Sequence, residues 1–180
     1  MKIIAFGASN SQHSINKKLA TFATTYFKNH ETEILDLNDY EMPIYSIDRQ
    51  GADGVHPLAV AFADKIRQAD FVMISFAEYN SGYTSAFKNI FDWVSRIQPQ
   101  NIWTNKNMFL MSTSNGGRGG ISALTMATTR LPFDGAKILD TFSLPNFHDN
   151  FDTESGITNS EFLKVFESKI FNVKSIIENQ

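Results

Sequence analysis

The feature that most constrains the fold is a strand-like apolar run that leads through a polar loop into an amphipathic helix. The run Phe71–Phe76 has the length and composition of a strand that is covered on both faces. Residues 77–82 are polar and turn-forming. The helix that follows carries one apolar stripe, formed by Phe87, Ile90, Phe91 and Val94. Since open parallel sheets bind ligands at the carboxyl ends of their strands, we expect this loop to form part of a functional surface.

The same strand-loop-helix unit recurs along the whole chain. Strands are predicted at Lys2–Phe6, Glu33–Leu37, Phe71–Phe76, Met108–Ser112 and Ala136–Leu144. Stripes of helical period are predicted in residues 15–26, 57–69, 87–94, 121–131 and 162–177. This alternation predicts an α/β fold in one domain, residues 1–180: a flavodoxin-like, five-stranded parallel sheet of order 2-1-3-4-5 with helices on both faces. Residues 38–56 are predicted to be a long irregular segment that forms a binding loop or a contact surface.

Charge and composition exclude several functional classes. The formal net charge is −3 and the sequence pI is about 5.8, which argues against a nucleic-acid partner or an anionic membrane surface. The sequence has no cysteine, so thiol catalysis and disulfides are excluded. Met1–Phe6 is too short for a signal peptide, and no apolar run approaches the roughly 20 residues that span a bilayer. We expect a soluble cytoplasmic protein with no membrane partner.

Three polar loops follow predicted strands one, three and four, and in this strand order they converge near the switch point. The first offers the hydroxyl groups of Ser9, Ser11 and Ser14 together with backbone N–H groups at a helix start, a combination suited to a phosphate. It contains neither a Gly-x-Gly-x-x-Gly fingerprint nor a P-loop. Each loop also has a simpler interpretation as a cap, a solvated turn or a flexible connection.

The other two loops suit a flat heterocycle and a close backbone approach. Glu78–Asn80 offers an aromatic face and backbone donors. Ser114–Gly120 contains four glycines, which would let the backbone approach a ligand closely.

Two further groups of residues have competing interpretations. His148, Asp149 and Asp152 could suggest a metal, but no second histidine lies at ligand spacing, so a solvated loop is favoured and no metal site is predicted. His13 is expected to be a surface or phosphate-contacting residue. The two tryptophans are expected to be core or subunit-contact residues.

Together, three segments resemble the signature segments of the NADPH-dependent FMN reductase family. They are Ala8–Asn16, Glu78–Asn80 with Phe87–Trp93 downstream, and Ser114–Gly120. The Glu-Tyr-Asn block, followed at the family's distance by Lys-Asn and Asp-Trp, is the most specific of them. The resemblance covers most of the chain.

The resemblance implies an enzyme that uses FMN and NAD(P)H. Its small-molecule electron acceptor would be a quinone, an azo compound, a metal oxyanion or a flavin, and the protein would be a homodimer or homotetramer. The hydride would pass by a ping-pong scheme that needs no catalytic acid or base from the protein, so no catalytic residue is predicted. The implied cofactor-binding residues are Ser9, Ser11, Ser14, Ile15, Asn16, Glu78, Tyr79, Asn80, Ser81, Ser114, Asn115, Gly116 and Gly117.

The sequence departs from the family pattern at several positions. Ser11 stands where the family often has arginine, which removes a bidentate phosphate contact. Ala77, Gly82 and Thr84-Ser85 replace the usual proline, serine and Pro-Gly. We expect FMN to bind without the arginine contact. A flavodoxin-like electron carrier and a flavin-free binding module remain alternatives.

Overall fold

The computed structural model describes residues 1–98 and 102–179, and its centre is a five-stranded parallel sheet of order β2-β1-β3-β6-β7. The strands are β1 (Lys2–Ala8), β2 (Glu31–Leu35), β3 (Phe71–Phe76), β4 (Glu78–Tyr79), β5 (Gly82–Tyr83), β6 (Asn107–Thr113), β7 (Lys137–Leu144), β8 (Phe151–Asp152) and β9 (Gly156–Ile157). The two short pairs β4–β5 and β8–β9 are antiparallel hairpins outside this sheet. The predicted flavodoxin-like order is confirmed.

Helices cover both faces of the sheet, as predicted. They are α1 (Ile15–Thr24), α2 (Ile47–Asp53), α3 (Pro57–Gln68), α4 (Ser85–Val94), α5 (Ile121–Arg130), α6 (Phe147–Asn150) and α7 (Ser160–Glu178). One core lies between the sheet and α3, α4 and α5, where the Phe6 and Phe62 rings meet edge to face at 5.5 Å. The other lies under α1 and α7, where Phe142 meets Phe166 at 5.1 Å.

Local capping explains where the predicted elements were displaced. The second strand lies two residues earlier than predicted because the Asp36 side chain accepts from Asn38 N at 2.9 Å and caps a 3-10 turn over Leu37–Tyr40. Leu37 is buried in that turn rather than in the strand. The segment predicted to be irregular contains α2, which begins where the Ser46 hydroxyl accepts from Arg49 N.

Both tryptophans belong to the core. Trp93 and Trp103 are only 2% and 1% exposed, and the Trp93 indole donates to the carbonyl of Pro43 at 2.8 Å. This confirms the core interpretation and anchors the long 38–56 segment against α4. In the part of the chain that the structure describes, no helix combines the length and apolarity needed to cross a bilayer.

Candidate functional site

Gly7 lets the end of β1 touch the first turn of α1. A Cβ atom at this position would lie 2.8 Å from both Asn16 C and Lys17 Cα, and closer still to Lys17 N. The Ser14 hydroxyl caps the helix by accepting from Lys17 N at 3.1 Å. The first N–H groups of a helix have no intrahelical acceptor. The backbone amides of Ile15 and Asn16 therefore present the positive end of α1 at the carboxyl edge of the sheet.

Asn16 joins this helix start to two other strands. Its side chain, 2% exposed, accepts from the Ser75 hydroxyl at 2.7 Å and from Thr113 N at 3.0 Å, and donates to Thr113 O at 3.0 Å. These three bonds fix the start of α1 relative to the ends of β3 and β6. The side-chain oxygen of Asn16 thus accepts two hydrogen bonds and its amide nitrogen donates one, all within the protein.

The second loop is a tight hairpin. Asn80 and Ser81 adopt φ angles of 52° and 63°, the left-handed pair that joins β4 and β5 in a two-residue turn. They form the hairpin tip, away from the strand end. Behind it the Tyr83 ring packs on Phe76 at 5.6 Å, and burial raises the pKa of Tyr83 to about 12, so its phenol is neutral at physiological pH.

Glu78 attaches the hairpin to α5. Its carboxylate accepts from Ser122 N at 2.8 Å and from Ala123 N at 3.1 Å. A carboxylate at a helix N-terminus satisfies unpaired N–H groups and interacts favourably with the helix dipole. The sequence predicts Glu78 as a cofactor contact, and the structure shows that one oxygen of its carboxylate, Oε2, is bonded to α5.

This geometry makes Glu78 testable as a cap. We expect Glu78→Ala to lower the free energy of unfolding by about 1 to 2 kcal/mol, because two helix amides lose a charged acceptor. Glu78→Gln keeps one acceptor oxygen and should lose less. Urea denaturation of the three proteins measures the difference. Equal stability of the wild type and Glu78→Ala would show that the cap contributes nothing.

Thr84 accounts for one departure from the family pattern. Its hydroxyl caps α4 by accepting from Phe87 N at 3.2 Å and donates to the buried carbonyl of Ala8 at 3.0 Å. The residue that replaces the usual proline therefore links α4 to the end of β1.

The third loop uses its glycines for packing. Gly119 and Gly120 have φ angles of 59° and 75°, and a Cβ on Gly119 would lie 3.0 Å from Pro145 N. The Gly119 carbonyl accepts from the hydroxyls of Ser112 and Ser143. These two glycines were predicted to make room for a ligand, but they make room for β6 and β7. Gly116 also serves the protein, since its carbonyl accepts from Asn146 N at 3.1 Å.

The three loops enclose one cavity of about 420 Å³ at the carboxyl edge of the sheet. Its lining residues are Ser9, Ser11, His13, Ser14, Ile15, Asn16, Ala77, Glu78, Tyr79, Thr113, Ser114, Asn115 and His148. Of the residues predicted to form the site, Asn80, Ser81, Gly116 and Gly117 lie outside this lining. The rest of the predicted set is brought together.

Sequence reasoning missed His148. It had been grouped with Asp149 and Asp152 in a solvated loop, but its position just after β7 was the available signal, since that is also a strand end. Asp152 instead accepts from the amides of Ser155 and Glu154, and these bonds lower its pKa. Among residues 1–98 and 102–179, no group of three or more His, Asp or Glu side chains is placed to hold a metal ion.

Lys17 is held away from the cavity lining. Its ammonium group pairs with Asp36. Burial by itself would raise the pKa of Asp36, but hydrogen bonds from Lys17 and Asn38 outweigh it and the pKa lies below its usual value. Arg118 is likewise outside the lining and donates to the Ser122 hydroxyl at 2.9 Å.

The strand order and the cavity at the β1/β3 switch point define a flavodoxin-like α/β protein with a ligand site at that edge. Residues 1–149, which include all three loops, match the NADPH-dependent FMN reductase family. The chain belongs to this family. FMN and NAD(P)H are the cofactor and reductant that membership implies.

Individual relatives are similar over part of their length. The chain is 30% identical over 126 residues to the NAD(P)H:quinone oxidoreductase of Solanum tuberosum. The matched segment covers 68% of this chain and 63% of that protein. The chain is 42% identical over 82 residues to the probable NADPH:quinone oxidoreductase 1 of Oryza sativa subsp. japonica, which covers 45% and 41%. The matches therefore span less than two thirds of these relatives.

A solved structure shares the fold over nearly the whole chain. The flavoenzyme NAD(P)H:(acceptor) oxidoreductase FerB from Paracoccus denitrificans superposes with a TM-score of 0.79 at 24% identity, covering 99% of this chain and 97% of that one. This likeness concerns the fold.

Proposed function

We propose that the protein is an FMN-dependent NAD(P)H oxidoreductase whose acceptor is a quinone. The observation that supports this most strongly is the single cavity formed by loops from β1, β3 and β6. The start of α1, whose amides would face a phosphate, is held to the ends of β3 and β6 by one buried asparagine. The names of the partly matched relatives supply the acceptor class.

The cavity fits FMN in both size and chemistry. The amides of Ile15 and Asn16, with the hydroxyls of Ser9 and Ser11, would hold the phosphate at the positive end of α1. Ala77–Tyr79 on one side and Ser114-Asn115 on the other would flank the ring. When bound, FMN would supply the redox chemistry, accepting a hydride from NAD(P)H and passing electrons to the acceptor.

The protein itself would bind FMN and orient it. Glu78 carries the only carboxylate in the cavity lining of the described residues, and helix amides already occupy it. This supports a role without a carboxylate acid or base from the protein. Tyr79 is 55% exposed at the mouth, where it would offer a ring face to the reductant and then to the acceptor. Because the reductant and the acceptor would reach the flavin through the same opening, they would bind one after the other, which supports the ping-pong order.

Association of subunits is also part of the proposal. Ile44 and Ile47 are 77% and 75% exposed in the segment beside α4, which supports a homodimer or homotetramer built on that face. Acceptors other than quinones, and a cytoplasmic location, stay predictions.

An absorption experiment tests the proposal. Protein incubated with FMN and freed of unbound flavin should be yellow, lose its visible band anaerobically with NADPH and regain it on adding benzoquinone. Ser11→Asp should weaken FMN binding at least about tenfold, because it places a second negative charge beside the phosphate, whereas Ser168→Asp, exposed on α7, should not.

The rival functions give different results. A flavin that NADPH does not reduce would indicate an electron carrier. Protein that stays colourless and leaves FMN fluorescence unquenched would indicate a flavin-free binding module.

A further inference from the structure

We propose that His13 and His148 are the cationic groups of this cavity and that their protonation strengthens its hold on the phosphate end of FMN. This inference rests on the proposed function. It assigns the role of the missing arginine to two side chains from opposite ends of the sequence. It also makes cofactor affinity depend on pH, which a permanently charged arginine would not do.

The composition of the cavity wall is the first observation. Among the described residues that line it, none is lysine or arginine, and the histidines are the only side chains that can carry positive charge. The Lys17 ammonium is committed to Asp36. A phosphate monoester carries between one and two negative charges near neutral pH. The other donors around the phosphate are uncharged, so the positive charge in this wall would come from the two imidazoles.

The second observation is that the structure fixes His148 at the cavity. The turn before it holds Asn146 in the left-handed region at φ 46°. Phe147 N donates to Ser114 O at 3.0 Å, which joins this turn to the third loop. The Phe147 ring stacks on Phe151 at 4.6 Å and meets the His148 imidazole at 5.6 Å. His148 is therefore presented by a packed turn.

His13 reaches the same cavity from the other side. It lies in the first loop, directly before the helix cap Ser14, and lines the same cavity as Ile15 and Asn16, whose amides would face the phosphate. A protonated imidazole donates from both ring nitrogens. Two such groups in the wall of the cavity would replace the bidentate contact that Ser11 cannot make.

Other charged groups near the two histidines are accounted for. They share the cavity lining with Glu78, which is bonded to α5, and with Tyr79. His13 also borders a second cavity with Lys17, Lys18 and Glu154. Asp149 follows His148 in α6. The FMN phosphate itself gains charge as pH rises through about 6, so the pH effect of the histidines must be isolated by comparison with variants.

The sign of the effect follows from the charges. A histidine attracts the phosphate only in its protonated form, so the contribution of the pair should be larger at low pH than at high pH. The gain of charge on the phosphate is common to the wild type and to any histidine variant. The ratio of their dissociation constants therefore reports on the histidines alone.

The test is a fluorescence-quenching titration of FMN with the apoprotein at about pH 6 and about pH 8. For each protein, the Kd for FMN at the higher pH is divided by the Kd at the lower pH. This quotient should be about tenfold larger for wild type than for the double variant His13→Asn/His148→Asn, which corresponds to one pKa unit of coupling. His30→Asn removes a histidine that pairs with Glu178 on another face, and should behave like wild type. His13→Lys/His148→Lys should bind tightly at both pH values.

Riboflavin, which lacks the phosphate, serves as the second probe, and wild type and double variant should share one pH profile with it. If FMN gives the same profile in both proteins, or riboflavin shows the wild-type effect, the histidine assignment is overturned while the FMN site stands. If FMN binds at neither pH, the proposed function itself fails. Circular dichroism checks folding, and His13→Gln/His148→Gln replaces the asparagine pair if that pair does not fold.

Discussion

Gly7→Ala is expected to lower the free energy of unfolding by about 3 kcal/mol or more and to abolish FMN binding. The added methyl group would meet the backbone of Asn16 and Lys17, not the end of a flexible side chain. Overpacking a tight site costs about 1 to 3 kcal/mol when side chains can adjust, and here a helix would have to move. Moving α1 would pull its first-turn amides away from the cavity and strain the Asn16 bonds to β3 and β6.

Urea denaturation and FMN titration measure the two effects of Gly7→Ala. The matched control is Gly51→Ala, because Gly51 lies exposed within α2 and an added Cβ atom would meet nothing within 4 Å. Alanine there should stabilise by up to about 1 kcal/mol through helix propensity. A Gly7→Ala protein as stable as wild type, with unchanged FMN affinity, would mean that β1 and α1 do not approach as described.

Asn16→Leu is expected to cost about 3 to 5 kcal/mol. Leucine would leave the Ser75 hydroxyl and both backbone groups of Thr113 buried without their partner, and each unsatisfied group costs about 1 to 3 kcal/mol before relaxation. Equilibrium urea unfolding gives the loss directly. In the folded fraction, FMN affinity should fall as well, because the start of α1 is no longer bonded to β3 and β6.

Two further variants serve as controls for Asn16→Leu. Asn10→Leu changes an exposed asparagine of the loop that precedes α1 and should stay within about 0.5 kcal/mol of wild type. Asn16→Asp keeps the acceptor for Ser75 and Thr113 N but points a carboxylate oxygen at Thr113 O. It should be less stable than wild type at neutral pH and recover part of the loss in acid, where the carboxyl can donate. Similar losses for Asn10→Leu and Asn16→Leu would refute a special role for Asn16.

The fold could be predicted because its signals are local. The composition of Phe71–Phe76 predicts a strand covered on both faces, and the apolar stripe from Phe87 to Val94 predicts a helix. Neither prediction depends on the rest of the chain. The alternation of such units leaves few arrangements for a parallel sheet. The second strand was predicted to extend to Leu37, but it ends at Leu35 because Asp36 caps the turn that follows. In the sequence, a capping residue between apolar neighbours is hard to distinguish from a polar residue within a strand.

The site could be predicted in location but not in the role of each residue. That loops meet at a strand edge follows from topology, but what Asn16 bonds to depends on Thr113, which is distant in sequence. Glu78 has the composition of a ligand contact and serves as a helix cap, and Gly119 fits against Pro145. His148 was missed because only the packed turn around Phe147 brings it to the cavity.

A crystal structure of the protein reconstituted with FMN tests the central claim most directly, namely that loops from three strands hold one flavin at the switch point. We predict the phosphate on the amides of Ile15 and Asn16, with the ring between Ala77–Tyr79 and Ser114-Asn115. FMN found elsewhere on the molecule, or a cavity that stays without flavin at saturating concentration, would contradict the account.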